Sequence, residues 1–182
     1  SPVAGSGYYS SELIQFSALV SDNEDAAEDL TISWTSNQDG ALVLDTTPNF
    51  TGEISDYTYL SEGQHAIELR VEDTSGKVST EEVVLQVGGA NARPDCSILE
   101  PLDRAEVLTE DSVIFVGEIS DENVEPTSLI TRWISDKDGE LGPGTISSSG
   151  AVNFTYSGFS ANDHVISPYV EDDVGASCQA SI

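Results

Sequence analysis

Along most of the chain, apolar and polar residues alternate with a period of two. Ile14, Phe16, Ala18 and Val20 are interleaved with Gln15, Ser17 and Leu19, and Leu30, Ile32 and Trp34 with Thr31, Ser33 and Thr35. His65, Ile67, Leu69 and Val71 alternate with Ala66, Glu68 and Arg70. Successive side chains of a strand point to opposite faces, so this pattern predicts strands with one face buried. No stretch carries the 3.6-residue period of a helix. Short strands bounded by Gly, Asp, Asn and Ser predict an all-β sandwich. The strands expected are B at 12–20, C at 30–36, C′ at 41–46, an irregular D/E region at 48–60, F at 64–72 and G at 78–87.

The pattern occurs twice. VSDNEDAAEDLTISWTSNQDGAL surrounds Trp34 and ISDENVEPTSLITRWISDKDGEL surrounds Trp133, at an offset of 99 residues. The same offset relates Phe16 to Phe115, Asp22 to Asp121, Asp39 to Asp138, Tyr57 to Tyr156, His65 to His164, Asp73 to Asp172 and Gly76 to Gly175. A register kept through turns and strands predicts one fold repeated. The result is two tandem immunoglobulin-like sandwiches, at 1–88 and 95–182, joined by a linker at 89–94 that is bendable at Gly89 and stiffened by Pro94.

Three local expectations follow from the repeat. Ser1-Pro2 matches Glu100-Pro101, so strand A of the first sandwich reads as missing or supplied by a neighbour. Ile182 matches Val83, which leaves the end of the second strand G without a counterpart. A segment cut from a longer string and a head-to-tail polymer of identical subunits completing each other's sheets both fit these ends. Pro168 removes a ladder donor, which predicts an edge or bulged strand F in the second unit.

The spelling F-x-A-x-V-S-D, then L-x-I-x-W-x-S-x-x-D-G, then G-x-H-x-I-x-L-x-V-x-D-x-x-G resembles the PKD-type and related cadherin-like repeats. The resemblance implies seven-stranded extracellular or cell-surface sandwiches, often in strings, that space, adhere or bind calcium. Trp34 and Trp133 then fall where such sandwiches bury an aromatic.

Charge sharpens this reading. The chain has 33 Asp+Glu against 6 Lys+Arg, a formal charge of −27. Such a surface repels nucleic acid and anionic lipid, so neither is expected as a partner. No apolar run reaches about 18 residues, so direct membrane insertion is not expected either. In a sandwich of this strand order, the B–C and F–G loops meet at one end. That end carries Asp22, Glu24, Asp25, Glu72 and Asp73 in the first unit, and Asp121, Glu122, Glu171 and Asp172 in the second. Carboxylates forced together repel unless a cation lies between them, and Ca2+ accepts six to eight oxygens in flexible geometry. These residues are the candidate calcium ligands. Asp39 and Asp138 stand at the opposite end in the C–C′ turns, where Asp-Gly is also a hairpin signal without any ion.

Cys96 opens strand A and Cys178 opens strand G of the second unit, neighbours in this topology, so a disulfide and an oxidising compartment are expected. Asn49-Phe50-Thr51 and Asn153-Phe154-Thr155 are glycosylation sequons. Both His occupy one repeat position, which points to a corner shared by the fold rather than to a catalytic triad. No phosphate-binding loop is present. The chain therefore reads as a non-enzymatic, calcium-stabilised extracellular module of a filament or adhesin, partnered by neighbouring Ig-like domains. The rival readings are an accessory carbohydrate-binding module, with Tyr8, Tyr9, Tyr57, Tyr59 and Tyr169 as candidate platform residues, and a passive acidic spacer.

Overall fold

A computed structural model describes residues 1–182. The chain divides into two units, Ser1–Asn91 and Ala92–Ile182. In the first unit the strands are β1 (Gly7–Tyr9), β2 (Ile14–Leu19), β3 (Thr31–Ser36), β4 (Gly40–Ala41), β5 (Glu53–Thr58), β6 (Gly63–Glu72) and β7 (Val78–Gly88). They form one sheet of order β1-β7-β6-β3-β4 and a second of β2-β5. The second unit has β8 (Asp95–Glu100), β9 (Ser112–Ser120), β10 (Ile130–Ser135), β11 (Gly139–Gly142), β12 (Thr145–Ile146), β13 (Ala151–Ser157), β14 (Ile166–Glu171) and β15 (Ser177–Gln179). These make sheets of order β11-β10-β14-β15 and β12-β13-β9-β8.

Each sandwich closes on the inward half of the alternating pattern. Phe16 of β2 meets Trp34 of β3 edge-on at 5.4 Å, with Ile14, Leu60, Ile67, Leu85 and Val87 packed around them. Phe115 of β9 meets Trp133 of β10 at 5.1 Å, and Phe154 stacks on the same indole. Both Trp are buried. An aromatic pair of this kind contributes about 0.5–1.5 kcal/mol beyond its area burial.

The constant offset fails in one strand. Ile14 pairs with Thr58, whereas Val113, its counterpart, pairs with Tyr156. Val20 N–H donates to Gly52 O, and Ile119 N–H donates to Gly150 O. The two E strands are therefore related by one residue fewer than the B strands. The missing residue lies before Gly150 and is regained between Tyr156 and Phe159, since Leu60 and Phe159 again share a buried position. Tyr57 and Tyr156 are consequently not equivalent. A slip of one residue exchanges the two faces of a strand: Tyr57 is exposed, while Tyr156 packs on the core. Gly52 and Gly150 hold the corner before strand E at φ +86° in both units, where an added Cβ would lie about 2 Å from the carbonyl oxygen of Val20 or Ile119.

Two further expectations are corrected. Strand A of the first unit is present in part. Ser1 exchanges backbone bonds with Ser17, and β1 pairs in parallel with Gln86–Gly88 of β7. Strand β14, which carries Pro168, is not an edge strand, for it lies between β10 and β15. Ile166 and Ile182 exchange two backbone bonds, and Val170 pairs with Cys178. That register sets Pro168 opposite Ala180, in the gap between Ile182 and the end of β15. The lost donor thus falls where the ladder is interrupted, and the β10 side remains continuous.

Cys96 of β8 and Cys178 of β15 form a disulfide across the open side of the second sandwich, joining strands of different sheets. The sulfurs sit beside the cluster of Ile119, Leu129, Val152 and Val170. A bridge closing a loop of this length restricts the unfolded chain and stabilises the unit by about 2–4 kcal/mol. Replacing both cysteines by alanine is expected to lower the second unit's unfolding free energy by about that amount and to leave the first unit's transition in place, as read by urea titration of the full chain. A single unchanged denaturation profile would refute this assignment.

Candidate functional site

Two kinds of polar constellation survive folding: a buried corner repeated in each unit, and an acidic loop tip that differs between them. The corner is built from strand C, the turn after it and the start of strand F. Ser36 Oγ lies 2.8 Å from His65 Nδ1, and His65 Nε2 lies 2.7 Å from the Ser61 carbonyl oxygen. A carbonyl only accepts, so Nε2 carries a proton, while Nδ1 shares a hydrogen bond with the Ser36 hydroxyl. The same hydroxyl oxygen accepts the N–H groups of Gln38 and Asp39. The Asp39 carboxylate accepts the Ser61 hydroxyl at 2.5 Å and the Ser61 N–H at 2.9 Å. In the second unit Ser135, His164, Ser160 and Asp138 repeat the arrangement, with Ser135 Oγ 2.8 Å from His164 Nδ1 and His164 Nε2 2.8 Å from Ser160 O. Asn37 and Asp136 brace the turn from its other side by accepting the N–H groups of Ala66 and Val165.

This is a Ser-His-Asp set with the wrong chemistry for nucleophilic attack. In a triad the acid orients one ring nitrogen and the other takes the serine proton. Here the second nitrogen is held by a carbonyl, the carboxylate serves Ser61 or Ser160 instead of the ring, and His65 and Ser36 are buried away from any substrate. The corner ties three segments together. Asp39 and Asp138, considered as calcium ligands, are already engaged in that work. The role of the four serines is not marked in the sequence, although each recurs at the 99-residue offset.

The electrostatics agree. Burial would raise the Asp39 carboxyl, but the two bonds from Ser61 and the nearby His65 outweigh it and hold the group below its ordinary value. The Ser160 amide, followed by its hydroxyl, lowers Asp138. Lys137 lowers Asp136.

At the other end of the first unit, the B–C and F–G loops are already bound to one another. Asp22 Oδ1 accepts the N–H groups of Glu24 and Asp25. Asp25 accepts the Thr74 hydroxyl at 2.8 Å and its N–H at 3.2 Å, bridging the loops. Asp73 Oδ1 accepts Ser75 N–H, Ser75 Oγ–H and Lys77 N–H, and these bonds, the Ser75 hydroxyl foremost, lower its carboxyl. Lys77 Nζ stands 3.4 Å from Glu24 and 3.7 Å from Asp73. Glu72 pairs with Arg70. Lys77 thus places an amine of the chain beside the acids of this tip.

The second unit has Ala176 at the Lys77 position. Ile119 and Val170 share one core cluster, so the loops that follow them, carrying Asp121 and Asp172, occupy the same end. Asp121 Oδ1 accepts the N–H groups of Asn123 and Val124, but its Oδ2 is buried without a hydrogen-bond partner. Asp172 is buried at 3% exposure, and its Oδ1 accepts the N–H groups of Val174 and Ala176. Glu171 is turned aside to Arg132 and the Tyr169 hydroxyl, while Glu122 is exposed. Nowhere do three or more His, Cys, Asp or Glu gather so as to hold a metal ion by side chains alone. Asn49 sits in an exposed turn with its side chain bonded to Thr51 and Glu53, and Asn153 lies on the exposed face of β13.

The fold and these corners define a tandem of immunoglobulin-like β-sandwiches. Residues 3–86 match the PKD domain family. Among solved structures the chain is similar to the fibronectin(III)-like modules of Clostridium thermocellum CbhA, with TM-score 0.63 and 16% identity over 100% of this chain and 88% of that one. It is also similar to the I67–I69 I-band fragment of titin, with TM-score 0.50 and 11% identity over 98% of this chain and 61% of that one. At these identities the likeness concerns the fold alone. No curated protein matches the sequence.

Carboxyls held below their ordinary value bind fewer protons folded than unfolded. They stabilise the fold above about pH 4 and lose that contribution as pH falls through the folded values. Asp39→Asn is therefore expected to flatten the acid side of the first unit's stability profile between about pH 5 and 2, read as urea midpoint against pH. An acid limb as steep as the parent's would contradict the role given to Asp39.

Proposed function

We propose that the chain is a calcium-stabilised structural module of an extracellular filament or adhesin, and that the ion is held at the Asp121–Asp172 tip of the second unit. PKD and Ig-like domains are typically non-catalytic and extracellular, and the Cys96–Cys178 disulfide fits a secreted or surface protein. No helix is long and apolar enough to cross a membrane.

The observation that supports the calcium assignment is the partnerless, buried Asp121 Oδ2 beside a loop whose Asp172 is itself buried. A buried carboxylate oxygen without a partner costs free energy, and where the first unit relieves its tip with Lys77 the second has an alanine. Two carboxylates with backbone carbonyls and water suit Ca2+, which tolerates irregular oxygen shells, better than Mg2+, which demands octahedral order. Asp121 and Asp172 would hold the ion, with Glu122 and Asp173 in reach of the same loops by sequence. The ion supplies fixed positive charge that lets the loops pack. Partners are further Ig-like domains, whether in one chain or in identical subunits.

Calcium at about ten times its dissociation constant is expected to stabilise the second unit by about 1.4 kcal/mol. That corresponds to a shift of about 6–10 °C for a domain of this size. The first unit should not respond, and Asp121→Asn should abolish the shift. Scanning calorimetry of the full chain with calcium and with chelator reads both transitions, and identical profiles in the two conditions would overturn the assignment.

A further inference from the structure

The outward face of β2–β5 in the first unit differs from the rest of this acidic chain. Gln15 and Ser17 of β2 pair with Tyr57 and Ser55 of β5, and Leu13 and Tyr59 stand just beyond the paired ends of the two strands, one residue past Ile14 and Thr58. None of these six carries a charge, in a chain of formal charge −27, and the nearest acid on the face is Glu53 at its far end. Leu13, Tyr57 and Tyr59 are 52%, 52% and 56% exposed. Tyr57 and Tyr59 are two residues apart and both exposed, so alternation along an extended chain puts the two phenol rings on the same side. Beside them, Gln15 Nε2 donates to Ser55 Oγ at 3.1 Å, which fixes the amide and leaves its oxygen free to accept.

Charge narrows what can lie there. A second copy would bring another −27 to a small face, and nucleic acids or acidic polymers are repelled in the same way. A basic protein would be drawn to the surrounding acids instead of to the neutral island. We propose that this face binds a neutral polysaccharide. Its sugar rings would lay their C–H surfaces on Tyr57 and Tyr59 and direct their hydroxyls to Gln15, Ser17 and Ser55. Tyrosine suits this task because it offers a rigid apolar ring with a polar edge. The second unit provides an internal contrast. The one-residue slip places Thr155 where the first unit has Tyr57, and Tyr156 is turned into the core.

The test is affinity electrophoresis and calorimetry of the full chain, in chelator, against soluble neutral polysaccharides (xylan, mannan and mixed-linkage glucan). The calcium assignment is thereby left out of the readout. Binding to at least one polymer is expected. Tyr57→Ala with Tyr59→Ala should weaken it at least tenfold without moving either melting transition, since both rings are exposed, and Thr155→Ala should change nothing. Absence of retardation by every polymer, or equal binding by the double variant, would overturn the proposal. So would concentration-dependent self-association in sedimentation that the double variant abolishes, because it would give the face to a second copy.

Discussion

Each sandwich depends on one contact made across its two sheets, between a phenylalanine on strand B and a tryptophan on strand C. Phe16 with Trp34, and Phe115 with Trp133, set the spacing at which the inward-facing residues of both sheets interdigitate. Around 10 Å separates packed sheets, and few side chains other than aromatics fill that gap from both sides at once. Once the centre is filled, polar and charged residues have nowhere to go but the outer faces and the loop ends. The very high acid content of this chain is compatible with folding because the alternation keeps nearly every carboxylate off the inner faces.

The ends of the sandwich solve the resulting crowding in two ways. At the corner holding His65 and His164, carboxylates are stabilised as charged groups by hydroxyl and amide donors, and the imidazole connects a serine to a carbonyl. At the opposite end the first unit uses Asp25, Thr74 and Lys77 to join its loops, while the second keeps two aspartates and loses the amine. The duplicated frame therefore carries two tips that differ in the one basic residue, Lys77, that the first has and the second replaces with Ala176.

Much of this was legible in the sequence because the period of two and the repeated Trp, His and Asp-Gly positions report strand faces and turns directly. The disulfide was legible from the placing of Cys96 in strand A and Cys178 in strand G, although the two strands belong to different sheets and the bridge crosses between them. The engagement of Asp39 and Asp138 was not, because an acid count cannot distinguish a carboxylate that meets an ion from one that caps a serine. The interior place of Pro168 was missed for a related reason. A proline forbids one ladder bond, and the strand on either side of it can still pair. Comparison without gaps also hid the displacement of strand E, where two compensating changes restore the frame within about ten residues.

That displacement shows how a duplicated domain can change what it presents without endangering what it buries. Substituting an exposed residue alters one position, but shifting a strand by one step turns over a whole row while turns at either end absorb the difference. In the first unit the row facing outward carries tyrosines, and in the second it carries threonine and asparagine, over cores of the same plan. Copies of one sandwich can thus acquire separate surface duties through length changes in loops, which are the cheapest alterations a fold of this kind admits.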